Sequence, residues 1–117
     1  MNIVSMIFAI LSAVEHLYIF YLETIITDSK KTSKIFNIEE EKLKDKTVST
    51  LFKNQGVYNL LLSIILFISI IKNDLFWIRI LLLYIVLVAV YGGFTSNMKI
   101  ILNQGGLAML ALFFSLF

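Results

Sequence analysis

Apolar residues gather into four stretches, 3–26, 51–71, 75–94 and 100–117. Each is close to the roughly 20 residues a helix needs to cross a hydrocarbon core of about 30 Å. The joints after the second and third stretches, Lys72-Asn73-Asp74 and Thr95 to Lys99, are short. Links of that length place successive helices side by side and antiparallel. The pattern therefore predicts an all-α, four-helix transmembrane bundle of up-down-up-down topology, one membrane domain over 1–117 with both termini on the same side. The remaining segment, 27–50, is a long polar loop. Within it, Ile38 to Lys46 reads as a short surface helix with Glu39, Glu40 and Glu41 early and Lys42, Lys44 and Lys46 late, an order that suits the helix dipole.

Composition sharpens this picture. Only 15% of the residues are charged, against about a quarter in soluble domains, and mean hydropathy is +0.89. The spans use nearly all of the chain, so its function is expected in or against the membrane. There is no cysteine, which excludes disulfides, thiolate chemistry and cysteine metal sites. There is no proline either, so nothing predicts the broken helices of many transporters. No arginine-rich stripe suggests nucleic acid. The first stretch lacks the basic start and small-residue cleavage site of a signal peptide. Lys30, Lys31, Lys34, Lys42, Lys44, Lys46, Lys53 and Lys99 fall on one side of the spans, and only Lys72 and Arg79 on the other. The positive-inside rule then puts the loop in the cytoplasm and both termini outside.

Ionisable residues inside a span are costly, about 2.5–3.5 kcal/mol or more at the centre, and usually face the bundle interior. The first span carries three. At 100° per residue, Ser12, His16 and Glu23 share a sector of roughly 40°, with Glu15 about 60° to one flank. The second span opens with Asn54, Gln55, Tyr58 and Asn59, the third closes with Tyr91-Gly92-Gly93, and the fourth opens with Asn103-Gln104. All lie toward the cytoplasmic ends, while the outer halves are almost wholly apolar. The expectation is a cytoplasm-facing polar funnel that reaches Glu15 and His16 near the midplane.

Each feature has a plainer reading. Glu15 and His16 are candidate catalytic residues as a proton relay or acid–base pair, or else polar contacts that hold helices together. Glu23 is a candidate ligand contact, or an interfacial charge reaching water or Lys53. Asn54, Gln55, Tyr58, Asn59, Tyr91 and Gln104 are candidate ligand-binding residues, or helix-packing amides and hydroxyls. Ala89 with Gly93, and Gln104, Ala108, Ala111 and Ser115, form small-residue rows that let backbones approach. Trp77 and Arg79 read as anchors at the outer interface. No metal site is expected, since His16 is the only histidine and Glu15 points away from it. The residues specify no cofactor.

Three strings together, Glu15-His16-Leu17-Tyr18-Ile19 continuing to Tyr21-Leu22-Glu23, Asn54-Gln55-Gly56-Val57-Tyr58-Asn59, and Tyr91-Gly92 followed by Lys99 and Gln104, resemble the small bacterial membrane proteins catalogued as domain of unknown function 1304. The resemblance covers essentially the whole chain. It implies a four-helix fold in the bacterial cytoplasmic membrane and points to Glu15, His16, Glu23, Asn54, Gln55, Tyr58 and Asn59, but it supplies no activity. Gly105-Gly106 stands where that family tends to show a proline.

Three functions fit these residues. One is binding of a small or lipid-like ligand in the polar pocket, with proton-transfer chemistry such as double-bond isomerisation. A second is a proton-coupled small-molecule transporter working as a homo-oligomer, on the general plan of the small multidrug exporters with Glu15 as the membrane glutamate. A third is an assembly subunit. Membrane lipids are the expected surroundings in all three, and whether the protein is an enzyme stays open.

Overall fold

A computed structural model describes all residues 1–117. The chain is entirely helical: α1 (Ile3–Phe20), a π-helical turn (Tyr21–Ile25), α2 (Lys30–Phe36), α3 (Glu40–Lys44), α4 (Lys46–Ile71), α5 (Leu75–Thr95) and α6 (Lys99–Phe114). Three segments are long and apolar enough to cross a membrane: Ile3–Ile25, Lys46–Ile71 and Leu75–Thr95. α6, apolar but only 16 residues long, reaches about 24 Å at 1.5 Å per residue.

The polarity of these helices is inverted relative to a protein in water. On the first helix Ser5, Ala9, Ser12, Ala13, His16 and Glu23 are all fully buried, while Ile3, Val4, Ile7, Leu11, Val14 and Ile25 are exposed. At 100° per residue these six share one sector of about 100°, while Leu22, also buried, lies about 80° beyond it. α4 buries Gly56, Asn59, Ser63 and Ser69 together with Leu66 and Ile70, and exposes Leu51, Val57, Leu61, Ile64 and Ile68. Water would penalise so much exposed apolar surface. In lipid it costs nothing, and small residues on the inner side let helices close together.

The chain forms two compact units. The first comprises Met1–Glu15 and Ile64–Phe117. In it α5 buries Ile78, Leu82, Ile85, Ala89 and Gly93, and α6 buries Gly105, Ala108 and Ala111. A Cβ on Gly105 would lie 2.9 Å from that of Ala89, and one on Gly93 would strike the Ile101 side chain at 2.3 Å. These rows are a close α5–α6 seam, as the small-residue spacing predicts. The end of α6 is tied by side chains: Ser5 Oγ donates to Ala111 O at 2.7 Å, Asn2 Nδ2 to Phe114 O, and Arg79 Nη2 to Ser115 O at 2.6 Å. They satisfy carbonyls that a helix C-terminus leaves open. The fourth helix therefore stops at Phe114 rather than continuing to 117. Arg79 is half-buried and turned onto Ser115, whereas Trp77 is exposed. The α4–α5 joint is closed by Asn73 in the left-handed region (φ 53) and by Asp74, whose carboxylate accepts from Trp77 N–H at 3.3 Å, a C-cap followed at once by an N-cap.

The second unit is His16–Ser63. The polar loop holds more helix than its composition predicts. α3 falls inside the expected 38–46 segment, with Glu40 and Glu41 in its first turn and Lys42 and Lys44 in its last. α2 was not expected. It starts at the Ser29 N-cap, whose Oγ accepts from Thr32 N–H at 3.1 Å, and ends at Asn37 in the left-handed region. α4 begins five residues before the apolar stretch does, because Asp45 accepts from Val48 N–H at 3.1 Å and caps a polar first turn. The first span also differs from a plain helix. Ile26 N–H reaches back five residues to Tyr21 O at 3.0 Å, widening the last turn. Threonines stabilise that turn: Thr27 Oγ1 donates to Glu23 O at 2.7 Å, and the Thr32 hydroxyl lies 3.0 Å from Leu22 O and 2.8 Å from Ile26 O.

Candidate functional site

The widened turn carries Glu23, which is fully buried. Isolated π turns of this kind are frequent at functional sites. Two amides of α4, one helical turn apart, converge on its carboxylate. Asn59 Nδ2 donates to Oε1 at 2.7 Å, and Gln55 Nε2 donates to Oε2. Asn59 is itself buried and also meets the Gln55 carbonyl at 3.2 Å, while Gln55 is exposed. Residues i and i+4 share a helix face, so this spacing aims one donor at each carboxylate oxygen.

Gly56, between the two donors, makes the approach possible. A Cβ there would lie 1.9 Å from Thr24 Oγ1 and 3.1 Å from the Cβ atoms of Glu23 and Thr24. Thr24 Oγ1 donates to Lys53 O at 2.9 Å, so a side chain and a backbone group lock the crossing on the other flank of the glycine. Lys53 contributes only that carbonyl. Glu23, read from the sequence as a ligand contact or as an interfacial charge reaching water or Lys53, has its carboxylate met by the two neutral amides.

The remaining candidates are placed as follows. His16 is fully buried in the same unit as Glu23. Glu15 belongs to the other unit and is half-buried, its Oε1 buried without a hydrogen-bond partner. Asn54 and Tyr58 lie on the exposed side of α4, Tyr58 being 76% exposed. Tyr91, 72% exposed, and the half-buried Gln104 are in the first unit. The structure thus brings together Glu23, Gln55 and Asn59. It adds Thr24 and Gly56, which sequence reasoning did not single out; a glycine inside a polar helical string was the available signal.

The family described as "Protein of unknown function (DUF1304)" matches residues 10–116. The chain belongs to this family. It is 52% identical over 119 residues, covering all of both chains, to "Uncharacterized protein YpaA" of Lactococcus lactis subsp. lactis (strain IL1403). No solved structure matches. The match takes in α1 from residue 10 onward, the Glu23 turn and the Gln55–Asn59 string, so the carboxylate–amide arrangement lies within the matched residues.

Proposed function

We propose that this chain is a multi-pass protein of the bacterial cytoplasmic membrane that binds an amphipathic, lipid-like ligand at Glu23, with Glu23 as the proton-exchanging group. In this reading α1, α4, α5 and α6 form a four-helix up-down-up-down bundle with loop 27–50 in the cytoplasm and both termini outside.

One observation carries the reading: a fully buried carboxylate has both oxygens met by neutral amides and neither by a cation. Amide donors hold the carboxylate in place but leave its charge uncompensated. In a low-dielectric setting that charge is met by a proton or by a cationic group of a ligand. A polar stripe supports access from the side. Around α4 it passes from exposed Asn54 and Tyr58 through exposed Gln55 to buried Asn59. A headgroup that displaces the Gln55 amide reaches Glu23 while its tail runs toward the midplane past exposed Leu61.

The test is native mass spectrometry of protein released gently from membranes, comparing wild type with Glu23→Gln and Glu15→Gln. A discrete bound mass that persists in Glu15→Gln and disappears in Glu23→Gln supports the reading. Bulk lipid alone in all three samples sinks it. The chain has no native cysteine, so Lys42→Cys and Lys72→Cys report topology cleanly: an impermeant maleimide should label them from opposite sides.

Proton-coupled transport by a dimer is the second reading. It is favoured by the buried Oε1 of Glu15, which has no hydrogen-bond partner and would serve as the proton-carrying group of such a transporter. A dimer in the same spectra, with proton uptake in vesicles abolished by Glu15→Gln, would favour it.

A further inference from the structure

α2 divides its residues sharply between two faces. Thr32 is fully buried, Ser33 and Phe36 are half-buried, and Lys30, Lys31, Lys34 and Ile35 are exposed. At 100° per residue the exposed four span a single arc of about 140°. The buried face is fastened to the ends of the long helices: Thr32 Oγ1 lies on Leu22 O and Ile26 O, and Phe36 packs edge-on against Phe52 with centroids 5.5 Å apart. The charged residues of this exposed face are all lysines: exposed Asp28 lies before the Ser29 cap, and the acids Glu39, Glu40, Glu41 and Asp45 follow the left-handed turn at Asn37.

The height of this face along the first helix is also fixed. The Lys31 ammonium stands 5.2 Å from the centroid of the Tyr18 ring. Tyr18 lies two turns before Ile25, about 10 Å back along the helix axis. α2 therefore lies alongside the last turns of the first helix rather than hanging free beyond them. The neighbouring Tyr18 pushes the pKa of Lys31 up. Tyr18 and Tyr21 are partly exposed on the same helix, at 39% and 44%, as aromatic residues are at a membrane–water interface. A short helix with three lysines and an exposed isoleucine at that level is placed as interfacial helices are, with charge at the headgroups and an apolar residue toward the acyl boundary.

We propose that Lys30, Lys31 and Lys34, with the Tyr18 ring beneath Lys31, bind the headgroup phosphate of an anionic phospholipid. The inference is separate from the Glu23 centre and rests only on the long helices crossing a bilayer. Anionic headgroups meet basic juxtamembrane residues with a stabilisation that corresponds to about fivefold per lysine, and α2 presents its three in a fixed geometry.

The experiment titrates the delipidated full chain with dioleoyl-phosphatidylglycerol or dioleoyl-phosphatidylcholine and counts adducts by native mass spectrometry. The expected result is preference for phosphatidylglycerol, lost by about tenfold or more in Lys30→Gln/Lys31→Gln/Lys34→Gln. Phosphatidylcholine adducts and helical circular dichroism should not change, and the corresponding triple arginine variant should keep the preference. Lys42→Gln/Lys44→Gln/Lys46→Gln, which removes equal charge from the same loop, should behave as wild type. The proposal is overturned if the α2 variant keeps the preference, or if both glutamine variants lose it equally. It is also overturned if inorganic phosphate at the lipid's concentration displaces the adduct, since the site would then select a free anion.

Discussion

Replacing Gly56 by alanine sets two effects of opposite sign against each other. Helix propensity alone favours alanine over glycine by about 1 kcal/mol. The new Cβ, however, would lie 1.9 Å from Thr24 Oγ1 and 3.1 Å from two further Cβ atoms, where carbon contacts are normally about 3.5–4.0 Å. Thr24 can relieve the closest contact by rotating, but it then gives up its bond to Lys53 O, worth about 0.5–1.5 kcal/mol. The two Cβ contacts are set by the backbones, and only separation of the helices relieves them. Overpacking of this sort costs about 1–3 kcal/mol, so packing wins and Gly56→Ala should destabilise the protein by about 1–3 kcal/mol. Thr24→Ala removes the nearest clashing atom. The double variant should therefore be more stable than the sum of the two single effects by about 1–2 kcal/mol. Reversible unfolding of the micellar protein by added dodecyl sulfate, followed by circular dichroism at 222 nm, provides the measurement. The reasoning fails if Gly56→Ala is as stable as wild type, or if the two substitutions are simply additive.

Asn59→Ala leaves a buried carboxylate oxygen without a donor, costing about 1–3 kcal/mol, whereas exposed Gln55 is replaceable by solvent or headgroups and its alanine variant should cost less than about 1 kcal/mol; the reverse order in the same unfolding assay would contradict the geometry. Thr32→Val keeps the shape but removes the hydroxyl that faces Leu22 O and Ile26 O. It should loosen α2 by about 1 kcal/mol, and trypsin cleavage at Lys30, Lys31 and Lys34 should rise several-fold while the rest of the chain stays protected. Arg79→Lys cannot reproduce the paired contacts to Ser115 O and Oγ. Hydrogen exchange at 112–117 should rise in that variant with little change elsewhere.

How much of this was legible in the chain differs by element. The long helices follow from apolar run length, and α5 and α4 appear within a few residues of the expected limits because Asp74 and Asn73 supply the cap chemistry at their joint. The inward face of α1 was also readable, since a period of 3.6 collects Ser12, His16 and Glu23 whatever surrounds them. α2 was hidden. Lys30-Lys31-Thr32-Ser33-Lys34 carries no apolar stripe, and the helix exists because a buried threonine and a phenylalanine fasten it to neighbouring helix ends, which sequence spacing does not encode. The widened turn at 21–25 was hidden for the same reason: its carbonyl partners, Thr27 and Thr32, come from outside the span. Run length likewise overstated the last helix, because it is blind to the Arg79 and Asn2 contacts that take up its terminal carbonyls.

The weight given to Glu15 and His16 from depth alone shows what periodicity can and cannot do. An angular sector says which residues of one helix look the same way, but not which of them meets donors on the next. That second condition is met by the Gln55-Gly56-x-x-Asn59 spacing. Two amides four residues apart are offset by about 6 Å along the axis, so they can flank one carboxylate from above and below. They can do so only if the carboxylate's helix comes close, and the glycine between them permits that. Of the two membrane glutamates, Glu23 sits in a turn opened by one residue and adjoining Thr24, whose hydroxyl fills the space that a Cβ on Gly56 would need. Glu15 is followed by an ordinary helical turn and has an unpartnered carboxylate oxygen. Both acids face inward in pattern, yet only one is built into a donor cradle. Substitutions that keep the amides but fill the glycine should therefore damage the Glu23 centre as severely as removing Asn59.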